Sequence, residues 1–250
     1  MSKPKILLFD IETAPSLGYV WGRWEQNVIE MKDDWFMLSM AYKWLGQKKV
    51  QTRALPDYSL YKTDKSNDVN LTMLLRDLFH EADIVIGHNA AKFDVRKSNA
   101  RFVYHGLKPP SPYKIVDTLT VARRYFKFDS NKLDDLARHL KIGEKLPHSG
   151  FKHTWLGCMS GDKNAWEVMR KYNAHDVELL EGIYKKFLPF ITNHPNYNVL
   201  MDETFACPNC GSTNTQRRGY SVSRVARQER HHCQECGAWS SKPMTRGVLR

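Results

Sequence analysis

Four consecutive apolar residues, Ile6-Leu7-Leu8-Phe9, bounded by Pro4 and Pro15, form the first pattern along the chain. A short continuous run of this kind suits a strand buried on both faces, so it predicts a central sheet strand. Phe36 to Leu45 and Lys49 to Leu55 are the next strand candidates, followed by a helix over roughly 68–80 and a short strand at Ile84-Val85-Ile86. A helix over about 91–105, a strand from Lys114 to Asp117, and helices near 118–126 and 131–140 come next. A long helix from about 163 to 188 completes a mixed α/β domain. On it Ala165, Val168, Met169, Tyr172, Leu179, Leu180, Ile183 and Phe187 recur at helical spacing as one apolar stripe. Lys62 to Asn70 reads as an ordinary surface loop. The segment His194-Pro195-Asn196-Tyr197-Asn198 reads as a linker, because Pro and Asn break helices and the apolar periodicity stops there. The pattern therefore predicts a main domain over 1–193, a linker over 194–204 and a small module over 205–250.

Composition narrows the class. With 42% hydrophobic residues and 12% aromatics in 250 residues, the chain can bury a sizeable core and is not disordered. No run of about 18 apolar residues occurs and the N-terminal apolar run is only four long, so neither a membrane span nor a signal peptide is expected, and the location expected is cytoplasmic. The 38 Lys+Arg against 27 Asp+Glu leave a net charge of +11, which favours an anionic partner such as nucleic acid.

The informative residues are acids that interrupt apolar elements, since a buried, unpaired carboxylate is costly. In Phe9-Asp10-Ile11-Glu12-Thr13 the two-residue period of a strand puts Asp10 and Glu12 on one face. Gly87 to Asp94 follows a buried strand and opens a helix, with Asn89 a candidate cap and Asp94 in the first turn. Asp176 sits on the apolar stripe of the long helix, one turn after Tyr172, so phenol and carboxylate project from the same face. Each acid alone also suits a solvated or capping role. Four together suit two hard, oxygen-liganded cations such as magnesium or manganese, the arrangement phosphoryl transfer requires.

The order Asp-x-Glu, then Asn-x4-Asp with an aromatic before the Asp, then Tyr-x3-Asp resembles the DEDD superfamily of 3′–5′ exonucleases, whose fold is ribonuclease H-like. The resemblance covers most of residues 5–190, with weaker echoes at Val116-Asp117-Thr118-Leu119 and Leu133-Asp134-Asp135-Leu136-Ala137. It implies that Asp10, Glu12, Asp94 and Asp176 bind two Mg2+ or Mn2+ ions, with Asp10 bridging, and that Tyr172 orients the attacking water. Tyr172 lies four positions before Asp176, as in the tyrosine branch; His175 is out of register for the histidine branch and reads as solvated or packed. The implied reaction releases nucleoside monophosphates from single-stranded or frayed 3′ ends of DNA. RNA is the alternative substrate, and a non-catalytic nucleic-acid-binding scaffold the alternative class. Asn89 and Trp21, within the aromatic segment Tyr19 to Trp24, are candidate contacts to nucleic acid, as is Lys152 beside His153 in the loop expected before the last helix. Arg96, Lys97 and Arg101 could meet phosphates, with solvated charges the plainer reading. A proofreader of this size would act in trans or with replication or recombination proteins, and the compact build resembles viral or mobile-element proteins.

Five cysteines complete the picture. Cys158 stands alone as a buried thiol, while Cys207-Pro208-Asn209-Cys210 and Cys233-Gln234-Glu235-Cys236 are two Cys-x2-Cys knuckles, each followed by Gly. They resemble a zinc ribbon with one structural Zn2+, which a module of about 45 residues needs to hold its shape; disulfides are the poorer alternative inside a cell. From Cys207 onward there are eight Lys+Arg and two Asp+Glu, so 8 − 2 = +6 of the charge lies there, and +5 remains upstream. Arg217, Arg218, Arg224, Arg227 and Arg230 lie between the knuckles with Tyr220, a candidate phosphate-binding surface.

Overall fold

In the computed structural model, which describes residues 3–24, 27–146, 150–201 and 206–243, the first apolar run lies where its pattern places it. It opens β1 (Ile6–Thr13), the middle strand of a five-stranded sheet. A hairpin of β2 (Leu17–Tyr19) and β3 (Glu30–Asp33) follows, then β4 (Met37–Trp44) and β5 (Gln51–Ala54). Next come α1 (Val69–Glu81), β6 (Ile84–Gly87), α2 (Asp94–Tyr104) and β7 (Lys114–Asp117). Four helices follow: α3 (Thr118–Tyr125), α4 (Leu133–His139), α5 (Gly150–Ser160) and the 25-residue α6 (Lys163–Phe187). The sheet order is β5-β4-β1-β6-β7, with β1 antiparallel to β4 and parallel to β6.

Alternation along β1 divides the core into two layers. Leu7, Phe9 and Ile11 pack with Leu71, Leu75 and Phe79 of α1 and Phe102 of α2. Ile6 and Leu8 face the other way, toward Val121 and Leu136 of α3 and α4 and Leu180, Ile183 and Tyr184 of α6. Each such buried side chain contributes about 1.5–3 kcal/mol. The even positions of β1 continue as Asp10 and Glu12, so the same alternation that sends Leu8 under α6 aims both acids at that helix. Asp162 caps α6, its side chain accepting from Asn164 N–H at 2.9 Å, and the helix gives way at Leu188-Pro189, where proline cannot continue it.

Several expectations need correction. Lys152 and His153 are not in a loop: they lie on α5, whose buried positions, Thr154 and Cys158, are too few to show as an apolar stripe. The Lys62–Asn70 stretch is not simply solvated, because Asp68 is fully buried and accepts from Arg101 Nε and from Met37 N–H at 2.7 and 2.8 Å. Arg101 is thereby a buried structural cation and not a phosphate contact, and Lys97 lies over the Trp35 ring. Asn89 does not cap α2; it takes a left-handed φ of 65° and its N–H donates to Asp117 Oδ1 at 3.0 Å. Asp117 itself caps α3. Val168 is only half-buried on α6, while two polar residues, Asn173 and Glu181, are buried.

The segment read as a linker carries α7 (Tyr197–Met201), and His194 and Tyr197 are buried, with Tyr184 OH 2.9 Å from His194 Nε2. Beyond it β8 (Thr215–Val222), β9 (Arg227–Cys233) and β10 (Trp239–Pro243) form an antiparallel sheet in the order β10-β9-β8. Asn209 Nδ2 donates to Leu188 and Ile191 carbonyls, and Tyr197 N–H donates to Pro208 O, so this module is tied to the end of α6.

Candidate active site

A cleft of about 740 Å³ opens between β1, α2, α4 and α6, and Asp10, Glu12, Asp94, Tyr172 and Asp176 all line it. Carboxylate oxygens of Asp10, Glu12 and Asp176 lie within 4.8 Å of one another. Asp94 stands beside this trio, one oxygen accepting from Ile11 N–H at 3.3 Å. Burial pushes every one of these acids upward, Asp176 raised and Asp94 to about 7 with repulsion from Asp117 added, while repulsion from the neighbouring acids further lifts Asp10, well above the ordinary carboxylate value, and Glu12, to about 8. Repelling carboxylates held together in this way fit divalent cations. So does Asp176 Oδ1, which is buried with no hydrogen-bond partner among the described residues.

Three side chains that the motifs alone do not single out complete the arrangement. Lys145 Nζ lies 2.7 Å from Asp176 Oδ2 and 2.5 Å from Tyr172 OH. Its pKa is raised by Asp176, and that of Tyr172 is pushed up to about 12 by burial and Asp176, which keeps the phenol protonated. The segment carrying Lys145 is held by Asp134, which accepts from Lys145 N–H at 2.9 Å, and by His175, whose Nε2 meets Glu144 O at 2.7 Å. His175 is therefore a pin for that segment. Asn173 is fully buried: Nδ2 donates to Asp10 Oδ2 at 2.7 Å, and Oδ1 accepts from Ser39 Oγ at 3.1 Å. Trp155 of α5 hydrogen-bonds Glu12 and stands edge-on to Tyr172 at 5.9 Å. The only signal for Asn173 was its place beside Tyr172; Lys145 and Trp155 come from loop and helix positions with no periodicity to mark them.

Of the candidate contacts to nucleic acid, Asn89 lines the cleft, joined by Arg123 and Lys132. Trp21 is 85% exposed beyond β2, and Lys152 is exposed on α5; neither lines the cleft.

In the C-terminal module the four cysteine sulfurs gather within 4.8 Å. Cys207 Sγ to Cys236 Sγ and Cys210 Sγ to Cys233 Sγ are each 3.7 Å. Tetrahedral zinc with Zn–S bonds of about 2.3 Å requires sulfurs about 3.8 Å apart, so the group fits one structural zinc. Cys158 is buried elsewhere as a free thiol.

A central mixed sheet flanked by helices, with a cleft of clustered acids at the end of its middle strand, is the plan of a ribonuclease H-like nuclease. The chain belongs to the RNase_H superfamily, whose family model matches residues 25–188, a span that includes Asp94, Tyr172 and Asp176 but begins after Asp10 and Glu12. No curated protein matches the chain. Among solved structures it is similar to the family B DNA polymerase from the hyperthermophilic archaeon Pyrobaculum calidifontis, with a TM-score of 0.57 and 16% identity. That likeness covers 76% of this chain and 25% of the polymerase, so the chain spans about a quarter of the protein it resembles.

Proposed function

We propose that the chain is a metal-dependent 3′–5′ exonuclease that hydrolyses the terminal phosphodiester of DNA at single-stranded or frayed 3′ ends. The observation that carries this reading is the convergence of Asp10, Glu12 and Asp176, with Asp176 Oδ1 lacking a hydrogen-bond partner among the described residues. The likeness to a DNA polymerase supports DNA over RNA as the substrate.

Asp10, Glu12, Asp94 and Asp176 would hold two Mg2+ or Mn2+ ions, which supply Lewis-acid activation of water and stabilise the leaving oxygen. The protein's own groups do the rest. Asn173 holds the Asp10 carboxylate in one rotamer. Tyr172, protonated at neutral pH, offers its hydroxyl to position the attacking water. Lys145, paired with Asp176 in the cleft, would turn its ammonium to the scissile phosphate on substrate entry and stabilise the charge gathering there. Water adds to phosphorus and the P–O3′ bond breaks, leaving a shortened strand with a 3′-hydroxyl and a nucleoside 5′-monophosphate. The basic C-terminal module, with one structural zinc, adds affinity for the strand.

The test is degradation of 5′-labelled and 3′-labelled DNA and RNA oligonucleotides with Mg2+, Mn2+ or chelator. Early loss of a 3′ label as mononucleotide, abolished in Asp10→Ala Asp176→Ala, is the expected outcome. Metal-dependent degradation that survives in the double variant overturns the assignment.

A further inference from the structure

We infer that one face of the C-terminal sheet, centred on Trp239, is a stacking site for unpaired bases, so that the module grips single-stranded nucleic acid. Directly opposed residues of antiparallel strands share a face. The register pairs His232 with both Trp239 and Gln216, and Arg230 with Ser241, which puts Trp239, His232, Arg230 and Gln216 on one face. Arg218 joins them, its Nη2 donating to Gln216 Oε1 at 2.8 Å. Glu229, the single acid in these three strands, pairs with Lys242 and Tyr220 and so lies on the opposite face.

The two faces therefore differ in free charge. On the Glu229 face Arg217 is paired with Glu229 at 3.1 Å, and the guanidiniums of Arg217 and Arg227 both lie over the Tyr220 ring. Among the described residues of these three strands, no acid lies on the Trp239 face to offset Arg218 and Arg230. Trp239 remains 52% exposed although His232 stacks beside it at 4.7 Å and Arg230 lies 4.9 Å from its ring. An exposed indole with one guanidinium and an imidazole against it, and Arg218 two strands away on the same face, offers a π-surface for a base and charges for the neighbouring phosphates. A duplex keeps its bases paired and stacked, so only an unpaired strand can use the ring. This deepens the proposed function and takes from it the nature of the ligand alone.

The experiment measures anisotropy of labelled single-stranded DNA, single-stranded RNA and blunt duplex DNA, with full-length protein carrying Asp10→Ala and Asp176→Ala so that the probe survives. In that background Trp239→Leu should weaken single-strand binding about tenfold, the loss of one base stack, and Trp239→Phe should retain most of it. Duplex binding should change little, and bound zinc should stay at one per chain. Arg218→Ala with Arg230→Ala should lower the slope of log affinity against log salt by about one to two, whereas Arg217→Ala should alter it less. Unchanged single-strand affinity in Trp239→Leu, or equal losses for duplex and single strand, overturns the inference. If zinc is lost from Trp239→Leu, the arginine pair decides: an unchanged salt slope overturns it. Tight, Trp239-dependent binding by a wild-type protein that degrades nothing would sink the exonuclease reading and leave this one standing.

Discussion

Lys145 Nζ sits 2.7 Å from Asp176 Oδ2, so the one acid on the apolar stripe of α6 is answered by a cation from a loop 31 positions earlier in the chain. The ammonium offsets part of the repulsion among the clustered acids. Lys145→Met keeps the side chain's length and removes its charge. It should lower the turnover number about 10²- to 10³-fold, as for removal of one group that stabilises transition-state charge. The check is single-turnover kinetics with a 3′-labelled oligonucleotide at saturating Mg2+.

Asn173 bridges Ser39 and Asp10 inside the core. Asn173→Leu, of similar size, leaves the Ser39 hydroxyl buried without its acceptor, at a cost of about 1–3 kcal/mol, and frees the Asp10 carboxylate to rotate. Urea denaturation should show that loss, and a Mg2+ titration should show a several-fold rise in the concentration giving half-maximal rate.

Without divalent cations the raised carboxylates make stability fall with pH. Glu12 moves from its ordinary 4.5 to about 8 and Asp94 from 3.8 to about 7, so between those limits the folded state holds more protons than the unfolded state. The resulting stabilisation is present below pH about 4 and is lost as pH rises through about 7 to 8. Melting temperature measured without added Mg2+ should therefore decline over this range. Added Mg2+ should raise it more at pH 8 than at pH 5.5, because cations bind the deprotonated acids.

Asp68 and Arg101 form a fully buried pair, with His105 against the same carboxylate, and it ties α1 and α2 to the start of β4. Asp68→Ala strands the guanidinium and a backbone N–H, and should destabilise the protein by about 3–5 kcal/mol. Chemical denaturation with two probes, far-ultraviolet circular dichroism and tryptophan fluorescence, measures it.

Much of the fold was legible because its main elements carry strong periodicity. Ile6 to Phe9, Ile84 to Ile86 and the α6 stripe announce themselves through continuous or helical apolar patterns, and the structure keeps each, the half-buried Val168 of the stripe excepted. The β2–β3 hairpin, α5 and α7 were not legible: the hairpin exposes its apolar residues Tyr19, Val20 and Met31, and α5 buries only two positions. At the site, Asp10, Glu12 and Asp176 stood out as charges in apolar elements, and the chain does bring them together. Lys145, Asn173 and Trp155 did not stand out, because nothing in a lysine, asparagine or tryptophan says which distant carboxylate it will meet.

What the sequence by itself determined was the content of the elements and the parity of β1: alternation alone puts Asp10 and Glu12 on the side of Leu8, whatever covers that side. Two knuckles of Cys-x2-Cys likewise specified a four-sulfur group from local spacing. Only the tertiary structure decided that α6 is the cover, that Asn173 meets Asp10 across 163 positions, and that the loop before α5 delivers Lys145 to Asp176. It also decided that Trp239 and Arg230 share one face of the small sheet and Glu229 the other. Periodicity is a short-range property of the backbone, whereas partners for buried charges come from chain crossings that no local pattern encodes.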